Sequence, residues 1–151
     1  MAKKKVLIFD FDKTVTTSQK DFPQSGPVNE KAIEVLKRVK KAGHYLTLLT
    51  MRDKEPYLDI ALDTLKKHGI IPDSVNETIP KFLKEWGYTV DNAPRKVHGD
   101  IEIDDRCIGV PTLVNAETGE EYVDWHKVEE MLEIKGWLPK RKFSFTTYMN
   151  V

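Results

Sequence analysis

Short apolar runs alternate along the chain with stretches in which apolar residues recur every three or four positions. Val6 to Phe9 is apolar on both faces, as a strand inside a parallel sheet requires, and it stops at Asp10 in an acidic, Thr-rich loop. After Pro23, Gly26 and Pro27, Asn29 is placed to cap a helix whose Ala32, Ile33, Leu36 and Val39 form one stripe, with Gly43 to end it. Tyr45 to Leu49 reads as a second buried strand with Thr50 at its C-terminal end. Asp53 is placed to cap the next helix, with Pro56 in its first turn, Leu58, Ala61, Leu62 and Leu65 on its apolar side, and His68-Gly69 as its close.

The periodicity then weakens. A short strand is expected at Ser74 to Asn76 and a short helix at Pro80 to Trp86. Ile101 to Ile103 leads into Asp104-Asp105, a second strand-like run ending in acid, within which Glu102 needs a partner or an exposed face. Pro111 to Asn115 is expected as a final short strand and Glu117 to Glu120 as a turn. Asp124 is placed to cap a last helix that carries Trp125, Val128, Met131 and Leu132 on one side and ends near Gly136. Strands alternating with amphipathic helices predict an α/β fold, a three-layer sandwich whose mostly parallel central sheet has helices on both faces. Residues 1–136 form that core, and 137–151 a basic, aromatic tail that packs on the core or on a partner subunit. Ligands of such sheets lie beyond the C-terminal strand ends, at the switch point, which is where Asp10, Thr50 and Asp104 fall.

Composition adds limits. The 151 residues suit one domain, and 24 Lys+Arg balance 24 Asp+Glu, so a uniformly basic binder of nucleic acid or anionic membrane is excluded and only local patches remain. The basic start, Met1 to Lys5, is followed by an apolar run too short for a signal peptide. With Cys107 as the one cysteine, the expectation is a cytoplasmic protein with a buried, inert thiol and no membrane partner. His44, His68, His98 and His126 lack metal-ligand spacing, so no zinc is expected.

Three segments converge on one edge of the expected sheet: Asp10-Phe11-Asp12-Lys13-Thr14, Leu48-Leu49-Thr50-Met51-Arg52, and Arg95-Lys96 shortly before Asp104-Asp105. Carboxylates packed this closely repel one another, so some keep a proton or a cation is bound. Oxygen donors without His or Cys favour Mg²⁺. Such a site suits phosphoryl transfer, with a metal and a lysine neutralising phosphate oxygens while a carboxylate attacks phosphorus in line. Asp12, two residues on, would protonate the leaving oxygen and later activate water.

The run Asp10-Phe11-Asp12-Lys13-Thr14-Val15-Thr16 resembles the first motif of the haloacid dehalogenase (HAD) superfamily of phosphatases, and the later segments follow in that superfamily's order. The likeness covers Val6 to about Val114, and Ile-Glu-Ile-Asp-Asp-Arg is similar to small uncharacterised members. It implies a HAD-like Rossmannoid fold with Asp10 as nucleophile and metal ligand, and with Asp12 as general acid/base and metal ligand through its backbone carbonyl. It further implies Thr50 as a phosphoryl hydrogen-bond donor, Lys96 as the stabilising base with Lys81, Lys84 or Arg95 as alternatives, and Asp104 as metal ligand with Asp105 beside it. Arg52 and Lys13 are expected around the site, and Arg52 and Arg106 read as surface ion pairs within reach of a substrate phosphate. Neither Thr14 to Asn29 nor Lys96 to Asp104 has room for a cap domain, so the site is expected to be open.

The expected function is Mg²⁺-dependent hydrolysis of a small-molecule phosphomonoester through an aspartyl-phosphate on Asp10, with the oligomeric state left open. Two other readings stand beside it. One is a phospho-acceptor or binding protein of the same fold without turnover; the paired acids come too late in the chain for a response-regulator receiver. The other is a polynucleotide-end phosphatase, for which Lys140, Arg141, Lys142, Phe143, Phe145 and Tyr148 supply basic and aromatic residues.

Overall fold

Leu7 and Phe9 leave one side of the first strand and Val6 and Ile8 the other, and all four are buried, so the segment needs neighbours on both edges and cover on both faces. The computed structural model, which describes residues 3–141, provides both. β1 (Val6–Phe9) lies inside a four-stranded parallel sheet, between β2 (Tyr45–Leu48) and β4 (Ile101–Ile103), with β3 (Ser74–Val75) outside β2. The chain steps outward from β1 to β3 and returns to the far side of β1. The loops after β1 and β4 therefore part at a switch point.

Three helices cover the face of Leu7, Phe9, Leu46 and Leu48. They are α1 (Glu30–Lys41), α2 (Tyr57–Lys67) and α4 (Trp125–Ile134), whose buried Val35, Leu36, Leu65, Trp125 and Leu132 join those strand residues in one core. Each such side chain contributes about 1.5–3 kcal/mol by leaving water. Asn29 caps α1 by accepting from the Lys31 amide at 3.0 Å, and Asp124 caps α4 by accepting from His126 and Lys127, as the sequence predicts. Glu129 of α4 braces the pair through Lys31 and Arg38 of α1, each at 2.9 Å.

The start of α2 differs from expectation. Pro56, not Asp53, is its cap, and no side chain satisfies the first amides. A residue before proline is driven out of helical conformation, so no helix can pass from Asp53 through Glu55.

The opposite face is thinner. It is covered by α3 (Pro80–Glu85) and the following loop, with Phe82 edge-on to Tyr45 at 5.4 Å and Gly99 against Ile8. Glu102 pairs in register with Ile8 on this face, but on an outer strand, and stands exposed. That resolves its place in a strand otherwise built from isoleucine.

β5 (Thr112–Val114) does not join the main sheet. It forms an antiparallel hairpin with β6 (Glu121–Val123), a strand the sequence reading left out, across the Glu117–Glu120 turn. Of the tail, Trp137 and Leu138 are buried in the main core and Arg141 pairs with Glu34 and Glu129; residues 142–151, with Phe143, Phe145 and Tyr148, lie outside the described residues. Among the described residues no helix is long and apolar enough to cross a membrane.

Gly99 marks where the loop touches the sheet. A Cβ there would sit 2.4 Å from both Cγ1 and Cδ1 of Ile8, a β-branched side chain in a central strand with little freedom to move. Gly99→Ala is expected to cost about 1–3 kcal/mol in urea denaturation. In the double variant with Ile8→Ala the two losses should fall short of additive, because the clash is gone.

Candidate active site

The loop after β1 begins with a tie to its neighbour: the Asp10 amide donates to the Ile103 carbonyl at 3.1 Å. Asp10 and Asp104 thus leave adjacent strand ends together. Phe11 is fully buried, and its carbonyl accepts from the amides of Thr14, Val15 and Thr16, which curls the acidic segment tightly. The curl places Lys13 at φ 58°, a left-handed conformation that costs a lysine about 1–2 kcal/mol. Its ammonium lies 3.4 Å from Asp105, offsetting part of that strain.

Late elements hold the loop from behind. The Val123 amide donates to the Lys13 carbonyl at 3.0 Å, and the Trp125 indole to the Thr14 carbonyl at 2.6 Å. The buried Thr14 hydroxyl accepts from the Asp105 amide at 3.1 Å and lies 3.4 Å from the Asp105 carboxylate, so it joins the two acidic loops.

Asp10, Asp12, Thr50, Asp104, Asp105 and Arg106 line one cavity of about 270 Å³ beyond the strand ends. Carboxylate oxygens of Asp10, Asp104 and Asp105 lie within 4.8 Å of one another. Burial, then the Asp104 charge, pushes the Asp10 carboxyl up to about 8. Asp104 is also held above the ordinary carboxylate range, by burial first and by Asp105 among its neighbours. Cys107, half-buried and not fully buried as expected, has its thiol raised by burial and by Asp104.

Arg52 is a buried partner, not a surface one. At 2% exposure it donates from Nε and Nη2 to the two Asp12 oxygens at 2.8 and 2.9 Å, and from Nη1 to the carbonyls of Pro23 and Tyr57. Its guanidinium also lies over the rings of Phe11 and Phe22. With four of its five N–H groups engaged it backs Asp12 from behind. It also ties Asp12 to the loop around Pro23, which a Thr16–Val28 bridge closes into a flap. The Asp12 carbonyl accepts no hydrogen bond among the described residues, so it is free for the ligand role expected of it.

Thr50 stands at the end of β2 as expected. Its hydroxyl accepts from the Arg52 amide at 3.1 Å, leaving its own proton for a ligand. Its amide donates to the Asn76 side chain at 2.7 Å, and Asn76 itself has φ 53°. Neither Thr14 nor Asn76 was among the expected site residues. The available signal for Asn76 was an asparagine directly after a strand, a residue type that tolerates the left-handed region.

Lys96 is not brought to the acids. The Asp100 amide and carboxylate bond the Val6 backbone, so the segment before β4 lies at the N-terminal end of β1, and Lys96 lines a different cavity. Lys84 and Arg95 line a cavity adjoining that one, and Lys81 reaches the Tyr45 hydroxyl at 3.0 Å. The cations at the acidic cavity are Lys13 and the exposed Arg106 instead. Four carboxylates less the paired charges of Arg52 and Lys13 leave an excess that one divalent cation offsets. The donors are oxygen only, so the residues fit a hard cation held by Asp10, Asp104 and Asp105. At such a site Asp105 would supply the third carboxylate, since that of Asp12 is turned to Arg52.

No protein-family model matches the chain, and no curated protein matches it. A solved structure described as the conserved protein coded by a locus from Bacteroides thetaiotaomicron is 27% identical, with a TM-score of 0.66 over 88% of this chain and 93% of that one. That likeness agrees with an α/β, Rossmann-like fold in which a parallel sheet is flanked by helices.

Asp10 binds its proton more tightly folded than unfolded, so its contribution to stability is complete below pH 4 and drains away as pH rises toward 8. In metal-free buffer the wild-type unfolding free energy from urea denaturation should fall relative to that of Asp10→Asn across this range, by at most about 1.4 kcal/mol per pH unit. Added Mg²⁺ should raise the wild-type Tm most at the alkaline end. Arg52→Met strands Asp12 beside a cavity and is expected to cost about 3 kcal/mol or more by chemical denaturation, part of it recovered when Asp12→Asn is added.

Proposed function

We propose that this chain is a Mg²⁺-dependent phosphomonoester hydrolase of the HAD type, without an inserted cap domain, acting through an aspartyl-phosphate on Asp10. The observation that carries this reading is the convergence on one cavity of a half-buried acid at a switch point, two further carboxylates and a threonine hydroxyl with its proton unassigned. A divalent cation bound by Asp10, Asp104 and Asp105 supplies neutralisation of the phosphoryl oxygens and keeps Asp10 ionised.

The side chains divide the rest. An Asp10 oxygen forms the bond to phosphorus while the bond to the ester oxygen breaks, and Asp12 gives that oxygen a proton. Water then adds to phosphorus, the Asp10–phosphoryl bond breaks, and Asp12 takes the water's proton, so both acids return to their starting state. Thr50 donates to a phosphoryl oxygen, and Lys13 and Arg106 supply positive charge in place of the Lys96 first expected there. Arg52 is a positioning residue that fixes the Asp12 carboxylate from behind.

The same Arg52 contact favours a second reading, phospho-acceptance without turnover. Both Asp12 oxygens already receive hydrogen bonds, which encumbers Asp12 in both proton transfers, whereas a donor whose leaving oxygen needs no proton can still load Asp10.

Wild-type protein should release phosphate from an aryl phosphate in Mg²⁺ and not in EDTA. Asp10→Asn should lower kcat by at least about 10³-fold with an unchanged circular dichroism spectrum. Activity surviving that substitution overturns the mechanism, and stoichiometric phospho-Asp10 that persists without phosphate release establishes the second reading.

A further inference from the structure

The segment between β3 and β4 carries features that a small phosphomonoester seated on Asp10 never meets. Two cavities of about 410 and 520 Å³ share Tyr88 and run together as one trough. The trough opens at Asn76, whose side chain bonds Thr50 of the acidic cavity, and it ends at Lys96 near the N-terminal side of the sheet. It exceeds the acidic cavity severalfold, and it begins at the residue bonded to Thr50 of that cavity.

Its lining pairs aromatic faces with unpaired cations. Trp86 and Tyr88 are 48% and 41% exposed, and Val90 beside them is almost wholly exposed. Lys84, Arg95 and Lys96 line it and make no ion pair among the described residues, while Glu77 is the one acid among its described lining residues. A neutral chain thus sets a positive trough next to a negative cavity. A substrate spanning both needs one phosphate at Asp10, further negative charges at a distance, and flat apolar groups between them. Single-stranded nucleic acid has that alternation, because each unit adds a π-face and a phosphodiester.

Resting on the phosphatase reading, we propose that the substrate is the terminal phosphate of a single-stranded polynucleotide, whose adjoining nucleotides lie along the trough from Asn76 to Lys96. Bases stack on Tyr88 and Trp86, and internal phosphates meet Lys84, Arg95 and Lys96. The open side of the trough admits a strand of any length.

Binding tests this apart from catalysis, with full-length Asp10→Asn and, in parallel, wild type in EDTA. The probes are thymidine monophosphate and an end-phosphorylated oligothymidylate of about six nucleotides. Trp125 and Trp137 are buried in the core, so quenching of tryptophan fluorescence reports Trp86. The oligothymidylate should quench it and bind at least about ten-fold more tightly than the mononucleotide. Tyr88→Ala should weaken binding about ten-fold or more, and Arg95→Gln should lower the slope of log affinity against log salt by about 0.7. Lys127→Gln, exposed on α4, should change neither.

Equal affinity for the two probes, or binding indifferent to both trough variants, overturns the inference. Equal binding of a blunt duplex overturns its single-stranded part. Phosphate release from an aryl phosphate without oligothymidylate binding overturns the trough alone and spares the phosphatase. Trough-dependent binding without hydrolysis of any phosphomonoester supports the trough and overturns the hydrolase reading.

Discussion

One hydrogen bond, from the Asp10 amide to the Ile103 carbonyl, zips the ends of β1 and β4 and forces two acidic loops to leave the sheet side by side. Most of the surrounding arrangement answers the repulsion that follows. Arg52 is drawn out of solvent to neutralise Asp12, Lys13 accepts a left-handed backbone to reach Asp105, and the Thr14 hydroxyl joins the loops that charge would push apart. Among the described residues Asp10 pairs with no cation, and burial, then the Asp104 charge, raises its carboxyl to about 8. The neutral total of the composition hides this imbalance, because compensation is distributed unevenly over the surface.

Where the governing physics is local, the sequence was readable. The apolar run of β1, the stripe of α1 and the capping residues Asn29 and Asp124 each act within a few residues of themselves, and the structure places them as expected. Asp10, Asp12, Thr50, Asp104 and Asp105 share a cavity because each lies within three residues of the C-terminal end of a strand of one parallel sheet. What could not be read depends on partners far along the chain. Arg52 looked like a surface residue because Asp12 stands forty positions away, and β6 was missed because three residues with one buried side chain carry no pattern until β5 lies beside them. Lys96 was assigned by its order along the chain, which does not say at which end of a strand a loop will sit. The bonds from Asp100 to Val6 decide that, and they place it at the wrong end.

The two faces of the sheet are unequal for a related reason. Three helices with continuous apolar stripes bury one face, whereas the return from β3 to β4 covers the other with six helical residues and a loop. The thin cover needs close approach, as at Gly99 against Ile8, and it leaves Phe82, Trp86 and Tyr88 only partly shielded. An uneven cover leaves space for an open trough next to the strand ends, which a second layer of long helices would have filled.

The indole of Trp125 and the amide of Val123 hold the loop that begins at Asp10, although more than a hundred residues separate them. During synthesis the acidic motif emerges more than a hundred residues before its supports do. Until then the curl around Phe11 lacks its backing and the acids are spread along an unanchored segment. A chain stalled or clipped before α4 therefore carries the whole motif in its sequence without the geometry that collects a cation. The site matures only after α4 itself has been translated.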